Sequence, residues 1–202
     1  HPKFFQLFNK FVNQVLHTPV QIGNPFWERT RAEVLDVLKK TGNEDLLQET
    51  ISCSKARGRT NAQPQCGYCS QCVDRRFGVL ATDLEEYDLT EKYGLEFFTH
   101  ELPEGEALTV VTSYVRFALR LDSMDESSFF SEFPQLYDCI DPEAPDHMET
   151  ATKLVGMLKR HAATIIRVIG DQYATHGEEL AKGTLHERCL LRLHPGPAMA
   201  GQ

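Results

Sequence analysis

The chain has 202 residues, 41% of them hydrophobic and 25% charged, the profile of a globular protein of one domain, with or without a small appendage. It contains no run of about eighteen apolar residues and no basic stretch leading into an apolar one, so neither a membrane span nor a signal peptide is expected, and the expected compartment is the cytoplasm. A net charge of −8 argues against a broad nucleic-acid surface, which needs concentrated Lys and Arg.

Phe4, Phe5, Phe8, Phe11, Val12, Val15 and Leu16 recur at three- and four-residue spacing, which predicts a helix over about 3–16 with one apolar face, read as core rather than as a cofactor site. The chain opens on His1 and enters this pattern almost at once, so further sequence is expected ahead of it. "PVQI" is a candidate short strand, followed by the loop "GNPFWER", where Trp27 reads as packing ahead of base stacking. "TRAE" at Thr30–Glu33 is a capping box, and its helix is expected to run to about Lys40 and stop at Gly42.

Residues 51–77 hold four of the six cysteines, Cys53, Cys66, Cys69 and Cys72, the last three as CxxCxxC. The loop between Cys53 and Cys66 is rich in Gly, Asn, Pro and Gln and has too few apolar groups for a core of its own, so something besides hydrophobic burial must order it. Two thiolates separated by two residues bend toward one point, a third joins them at the same interval, and one from the preceding loop closes a tetrahedron suited to Zn²⁺. Cys53, Cys66, Cys69 and Cys72 are therefore the predicted ligands of a structural zinc. An iron–sulfur cluster and a redox CxxC are weaker alternatives: Cys72 is followed by "VDRRF" rather than by the fourth Cys and Pro of a ferredoxin run, and three cysteines in series exceed a redox pair. A closed four-cysteine site leaves no open position, so such a metal would be a staple and would not activate water. Lys55, Arg57, Arg59, Arg75 and Arg76 stand against Asp74 alone in residues 51–82, a local +4 that leaves −12 elsewhere. This basic island lowers the cost of a metal–thiolate group with a formal charge of about −2. Cys139 and Cys189 are isolated and expected to be buried.

Beyond Val73 the pattern is mainly helical. "EALTVVTSYVRFALRL" and "SFFSEFPQLYDCI" are candidate helices. A long one over about 148–173 aligns Leu154, Val155, Leu158, Ala162, Ile165, Ile166 and Ile169, approached through Pro142 and Pro145. His161 falls near this stripe and reads as a packed helix residue. The tail "HPGPAMAGQ" is expected to fray.

"NPFWERTRAEVLDVL", then "SCS", a polar loop and "QCGYCSQCVDRR" resemble the C-terminal part of 7-cyano-7-deazaguanine synthase, a QueC-like family in which a "P…TK-E" helix leads to "SC", "CGxCxxC" and a following Arg. The "HP" start, the Arg75–Arg76 pair and the long helical extension resemble the divergent members of bacterial antiphage defence operons. The resemblance covers residues 1 to about 82. It implies a mainly α chain that forms the C-terminal portion of an α/β PP-loop (HUP-type) ATPase: residues 1–50 as the remnant of the nucleotide-binding domain, 51–82 as a Cys₄ zinc knuckle, and 83–202 as a helical extension. It further implies ATP and Mg²⁺ as cofactors of the parent enzyme and a deazaguanine-type small molecule as substrate, its carboxylate adenylated on the way to a nitrile or amide.

Two departures stand out. The SGGxDS-type ATP loop is absent, and the one GxxxxG spacing, Gly196 to Gly201, lacks the Lys-Ser/Thr of a phosphate loop, so this chain alone is not expected to hydrolyse ATP. Arg31 stands where the family has Lys, which keeps a cation but changes its geometry. Arg31 sits in the first turn of its helix, where a cation gains nothing from the macrodipole. Arg31, Arg75 and Arg76 are the candidate substrate-binding residues, with a solvated Arg31 and a thiolate-neutralising role for one of the Arg pair as the plainer readings. Lys55, Arg57 and Arg59 read as a mobile basic loop. A non-catalytic zinc-stapled module that docks operon-encoded partner proteins is the rival function, and a nucleic-acid-contacting accessory is the third.

Overall fold

The computed structural model describes residues 2–55, 59–140 and 146–194. Arg57, Pro142, Pro145 and the tail from Pro195, with Gly196 and Gly201, lie outside the described residues. Those described are mainly α, with no strand and one isolated parallel bridge, Gln65 to Tyr93. The helices are α1 (Pro2–Leu16), α2 (Arg31–Thr41), α3 (Ser70–Thr82), α4 (Glu106–Ser123), α5 (Phe129–Glu132), α6 (His147–Thr175), α7 (Gly177–Lys182) and α8 (Leu190–Leu193). None of them is long and apolar enough to cross a membrane. Two compact units divide the chain, one of His1–Thr30 with Ser123–Arg160, the other of Arg31–Asp122 with His161–Gln202.

In the first unit α1 forms where the periodicity placed it, but its apolar stripe is not core: Phe4, Leu7, Phe11, Val15 and Leu16 are each more than half exposed. The rings of Phe4 and Phe8 stack on one another at 5.5 Å instead. Polar groups hold the helix to its neighbour. Asn9 donates to the Ile22 carbonyl at 2.8 Å and accepts from the Ile22 N–H at 2.7 Å, and Asn13 accepts from the Val20 N–H at 2.6 Å. These side chains bond the Ile22 and Val20 backbone groups, which a strand partner would otherwise have taken, and "PVQI" is not a strand. Elsewhere in this unit Phe129 is fully buried, with the Lys159 ammonium 5.4 Å above its ring.

In the second unit α2 begins right after Thr30, as the capping box requires, and ends at Thr41; Gly42 follows at φ +66°, the left-handed turn that glycine adopts without a side-chain clash. Leu35, Leu47, Val79 and Leu84 form one buried cluster where α2 meets α3, each side chain contributing roughly 1.5–3 kcal/mol of burial. The helices approach closely at Gly78, where an added Cβ would lie 2.7 Å from Cγ of Arg31 and 3.1 Å from Cδ1 of Leu35. Phe77, Phe97, Phe98 and Tyr114 form an aromatic cluster with ring centroids 4.6–5.9 Å apart. The N–H groups of Leu190 and Leu191, at the start of α8, donate to the carbonyls of Phe97 and Phe98 at 2.9 and 3.2 Å. The long α6 stripe is core, with Ala162, Ile165 and Ile169 buried. Cys189 is buried and Cys139 half-buried.

Glu96 caps the turn at the aromatic cluster: its carboxylate accepts from the N–H groups of Phe98 and Thr99 and from the Thr99 hydroxyl, at 2.7–2.9 Å. Burial opposes its charge, but these bonds outweigh burial and hold its pKa below the usual carboxylate range. A depressed folded pKa stabilises the fold above the unfolded value of about 4.3 and is lost as pH falls through the folded one. Urea midpoints measured from about pH 6 down to about pH 3 therefore fall more steeply for the wild type than for Glu96→Gln. Equal slopes would refute this.

Candidate metal centre

The four cysteines arrive from three pieces of local structure. Cys69 is the N-cap of α3, with φ −69° and ψ 156°, and the first helical turn returns Cys72 beside it. Cys66 is set by the parallel bridge, in which the Gln65 N–H donates to the Lys92 carbonyl at 3.3 Å and the Gly94 N–H donates to the Gln65 carbonyl at 2.9 Å. Cys53 comes from the preceding loop. The N–H groups of Lys55 and Cys66 point at its sulfur at 3.3 Å each, and the Cys69 N–H points at the Cys66 sulfur at 3.2 Å. The turn between Cys66 and Cys69 depends on Gly67, which sits at φ +87°, where any Cβ would lie 2.1 Å from the Leu95 carbonyl oxygen. That obstacle is backbone and cannot swing away. Gly67→Ala is expected to destabilise the fold by roughly 2 kcal/mol or more, read from urea unfolding; a wild-type midpoint would show that the turn can relax.

The four sulfurs lie within 4.8 Å of one another and all four residues are buried. Four sulfurs at 2.3 Å from one ion would be separated by about 3.8 Å, and the Cys66 and Cys72 sulfurs are already 3.9 Å apart. Donor type, number, spacing and the N–H groups aimed at sulfur all fit a Cys₄ metal site of the zinc type. Electrostatics agree. Burial pushes the Cys66 and Cys72 thiols above their ordinary range. Burial also opposes ionisation of Cys69, but hydrogen bonds from Ser54 and the Cys72 backbone outweigh it and bring its pKa down to about 6. Four neighbouring buried thiolates are tolerable when a cation shares their charge.

Beside the sulfurs lies a buried polar network that sequence reasoning missed. Arg75, on α3, is 3% exposed and pairs with Asp88, 2% exposed, through Nε at 3.0 Å and Nη2 at 2.7 Å. Its other donors reach the Thr50 hydroxyl at 2.7 Å, the Ser52 hydroxyl at 3.3 Å and the Leu47 carbonyl at 2.7 Å. The Tyr93 hydroxyl donates to the second oxygen of Asp88, and Tyr93 packs directly on the cysteine cluster. Burial and the adjacent Asp88 charge push the Tyr93 phenol far above its ordinary range, so it stays a neutral donor. Nothing in the local pattern around Asp88 distinguishes it from the chain's other acids. Its role follows from where the turns after α3 return.

The other basic residues are engaged as well. Arg76 is half-buried; it donates to the Asp88 carbonyl at 3.3 Å and the Thr90 hydroxyl at 2.7 Å, with its guanidinium 5.6 Å from the Tyr93 ring centre. Lys55 pairs with Glu106 and lies 4.9 Å from the Tyr68 ring centre. Arg59 donates to the carbonyls of Gln63 and Gln65 at 3.2 and 3.1 Å and packs against Gly94. Lys55 is thus engaged by Glu106 of α4 and by Tyr68, and Arg59 is tied back onto the knuckle, rather than the two forming a free basic loop. Arg31 reaches α3 from α2: its Nε donates to Asp74 at 3.1 Å and its Nη2 makes a longer contact of 3.4 Å with Gln71. Trp27 is half-buried. His161 is half-buried with its ring edge-on to Tyr114 at 5.7 Å; burial lowers its pKa, against the pull of Asp74.

Residues 1–83 match the model of the family described as Queuosine biosynthesis protein QueC. That segment is similar to QueC. No curated protein and no solved structure gives a significant match. The QueC-like segment contains α1, α2, all four cysteines and the whole of α3, and it ends at Asp83, whose left-handed conformation at φ 54° terminates α3. Asp88, Tyr93 and Tyr114, which complete the surroundings of α3, lie beyond it.

Proposed function

We propose that this chain is the zinc-bearing part of a QueC-like, ATP-dependent enzyme that activates the carboxylate of a deazaguanine-type base. The observation that carries the proposal is the convergence of Cys53, Cys66, Cys69 and Cys72 on one buried point inside the segment that matches the family. A carboxylate resists attack by an amine because its leaving group would be oxide. Adenylation removes that obstacle: a carboxylate oxygen attacks the α-phosphorus of ATP, pyrophosphate leaves, and the amine nitrogen then attacks the acyl carbon and expels AMP, giving an amide and releasing a proton. In this reading Zn²⁺ is a structural tie, ATP and Mg²⁺ are held by a glycine-rich loop that these 202 residues do not contain, and Arg31 faces an anionic group of substrate or nucleotide. Arg76, half-buried on the same helix as Arg75, is the second candidate for an anion. A place in antiphage defence, with operon-encoded proteins as partners, belongs to the same proposal and rests on the resemblance of the helical extension.

The test is AMP release by the protein purified from its source cell, supplied with ATP, Mg²⁺ and ammonium, with and without 7-carboxy-7-deazaguanine. AMP and pyrophosphate formed in equal amounts only when the base is present is the expected result. Base-independent turnover, or none, in a zinc-loaded preparation overturns the proposal and favours the zinc-stapled module.

A further inference from the structure

Arg31 is held by α3 at three points. Its aliphatic stem lies over Gly78, where a Cβ would be 2.7 Å from Cγ; its Nε donates to Oδ2 of Asp74 at 3.1 Å; and its Nη2 touches Oε1 of Gln71 at 3.4 Å. Gln71, Asp74 and Gly78 follow one another at intervals of three and four, so a single face of α3 forms this cradle. A glycine inside a helix costs about 1 kcal/mol relative to alanine. Here its lack of a side chain makes the space that the Arg31 stem occupies.

The orientation matters more than the pairing. Asp74 takes the Nε edge of the guanidinium, and the Nη edge, which matches the two oxygens of a carboxylate or phosphate, has only the long Gln71 contact. The Arg31 side chain remains 34% exposed. Asp74 is itself set by a residue from outside the QueC-like segment: the Tyr114 hydroxyl, on α4, donates to its other oxygen, Oδ1, at 2.7 Å. The Tyr114 ring is stacked against Phe77 at 5.5 Å and meets His161 edge-on at 5.7 Å, which fixes the direction of the hydroxyl.

We infer that Tyr114 and Asp74 are positioning residues that turn the Nη edge of Arg31 outward to bind an oxyanion, so that the helical extension takes part in substrate binding through α4. The inference rests on the reading of Arg31 given under Proposed function. Tyr114 touches no substrate; it acts through Asp74, which acts through Arg31. A lysine ammonium at position 31 could also pair with Asp74, but it has no separate planar edge for that pairing to turn outward, so the orienting effect of Tyr114 is expected only with the arginine that this chain carries.

The experiment is a calorimetric titration of the zinc-loaded protein, as its source cell makes it, with inorganic pyrophosphate and, separately, with 7-carboxy-7-deazaguanine; the arm that binds tells a phosphate from a carboxylate. Tyr114→Phe keeps the ring and removes the hydroxyl, and is expected to weaken binding about fivefold, while Arg31→Ala abolishes it. In an Arg31→Lys background Tyr114→Phe should have no further effect, an outcome that a merely structural role for Tyr114 would not produce. Asp74→Asn serves as a second variant if Tyr114→Phe does not fold, with thermal melts as the control, and the same fivefold loss is expected. No binding by the wild type, or full binding by Arg31→Ala, sinks the reading of Arg31 and the inference with it. Loss with Arg31→Ala but wild-type affinity in Tyr114→Phe overturns the inference alone, as does an equal effect of Tyr114→Phe in the lysine background.

Discussion

Removing zinc with a chelator at pH 7 is expected to unfold the knuckle and the turns that follow it, with loss of helical circular dichroism and rapid proteolysis within residues 51–95. The argument starts from the loop between Cys53 and Cys66, which has almost no apolar side chains to bury. The sulfurs instead form the centre of a buried cluster with Tyr93. Binding of a structural Zn²⁺ is worth about 10–16 kcal/mol in small zinc domains, which is comparable to the whole stability of a typical domain, about 5–15 kcal/mol. The loss should spread, because Gln65 is bridged to the chain at Tyr93, and Tyr93 in turn bonds the Asp88 that pairs with Arg75. Cys69→Ser should reproduce the effect, and Zn²⁺ added back to the stripped wild type should reverse it. A metal-free protein with unchanged circular dichroism and an unchanged melting temperature would rule out zinc as the tie.

The second large effect is expected at Arg75. Its guanidinium and the Asp88 carboxylate are both almost wholly buried. Truncation to alanine leaves the buried Asp88 carboxyl without its guanidinium partner and with Tyr93 as its main remaining donor, and removal of one partner from a buried pair costs about 3–5 kcal/mol. Lysine should not rescue it, because one ammonium cannot span Asp88, Thr50 and the Leu47 carbonyl as the planar fork does. Urea unfolding of Arg75→Ala, Arg75→Lys and the wild type makes the comparison. Wild-type stability in Arg75→Ala together with lost pyrophosphate binding would instead place Arg75 at the substrate.

Much of the site was legible without coordinates. Cysteines at CxxCxxC spacing can be no more than about 10 Å from the next along the chain, so one tight turn and one helix start bring them together, and Cys53 follows because a fourth donor closes the set. Helix α2 and its end at Gly42 are similarly local, set by a capping pair three residues apart and by one residue that accepts positive φ. The pairing of charges was not legible. Arg75 finds Asp88 at a separation of 13 residues, Arg31 finds Asp74 at 43, and Tyr114 meets the same Asp74 at 40. A charge has no period, and which opposite charge it meets depends on where distant turns bring the chain back.

The same division explains two hydrophobic patterns that misled: "SFFSEFPQLYDCI" is broken at Phe133, ahead of Pro134, into the short α5 and a 3₁₀ turn over Pro134–Cys139, and α1 forms without its stripe becoming core. The Phe4–Leu16 periodicity specifies a helix and an apolar face, because both follow from 3.6 residues per turn. It does not specify what covers that face. In the folded chain Asn9 and Asn13 make hydrogen bonds to Ile22 and Val20, and Phe4, Phe8 and Phe11 remain exposed while Phe5 is half-buried. Spacing along the chain thus indicated α1, α2, α4 and α6 and the four cysteines that cluster, since these follow from local geometry. Tertiary structure decided which faces are buried and which charges meet, since both depend on groups that are remote in sequence and adjacent only after folding.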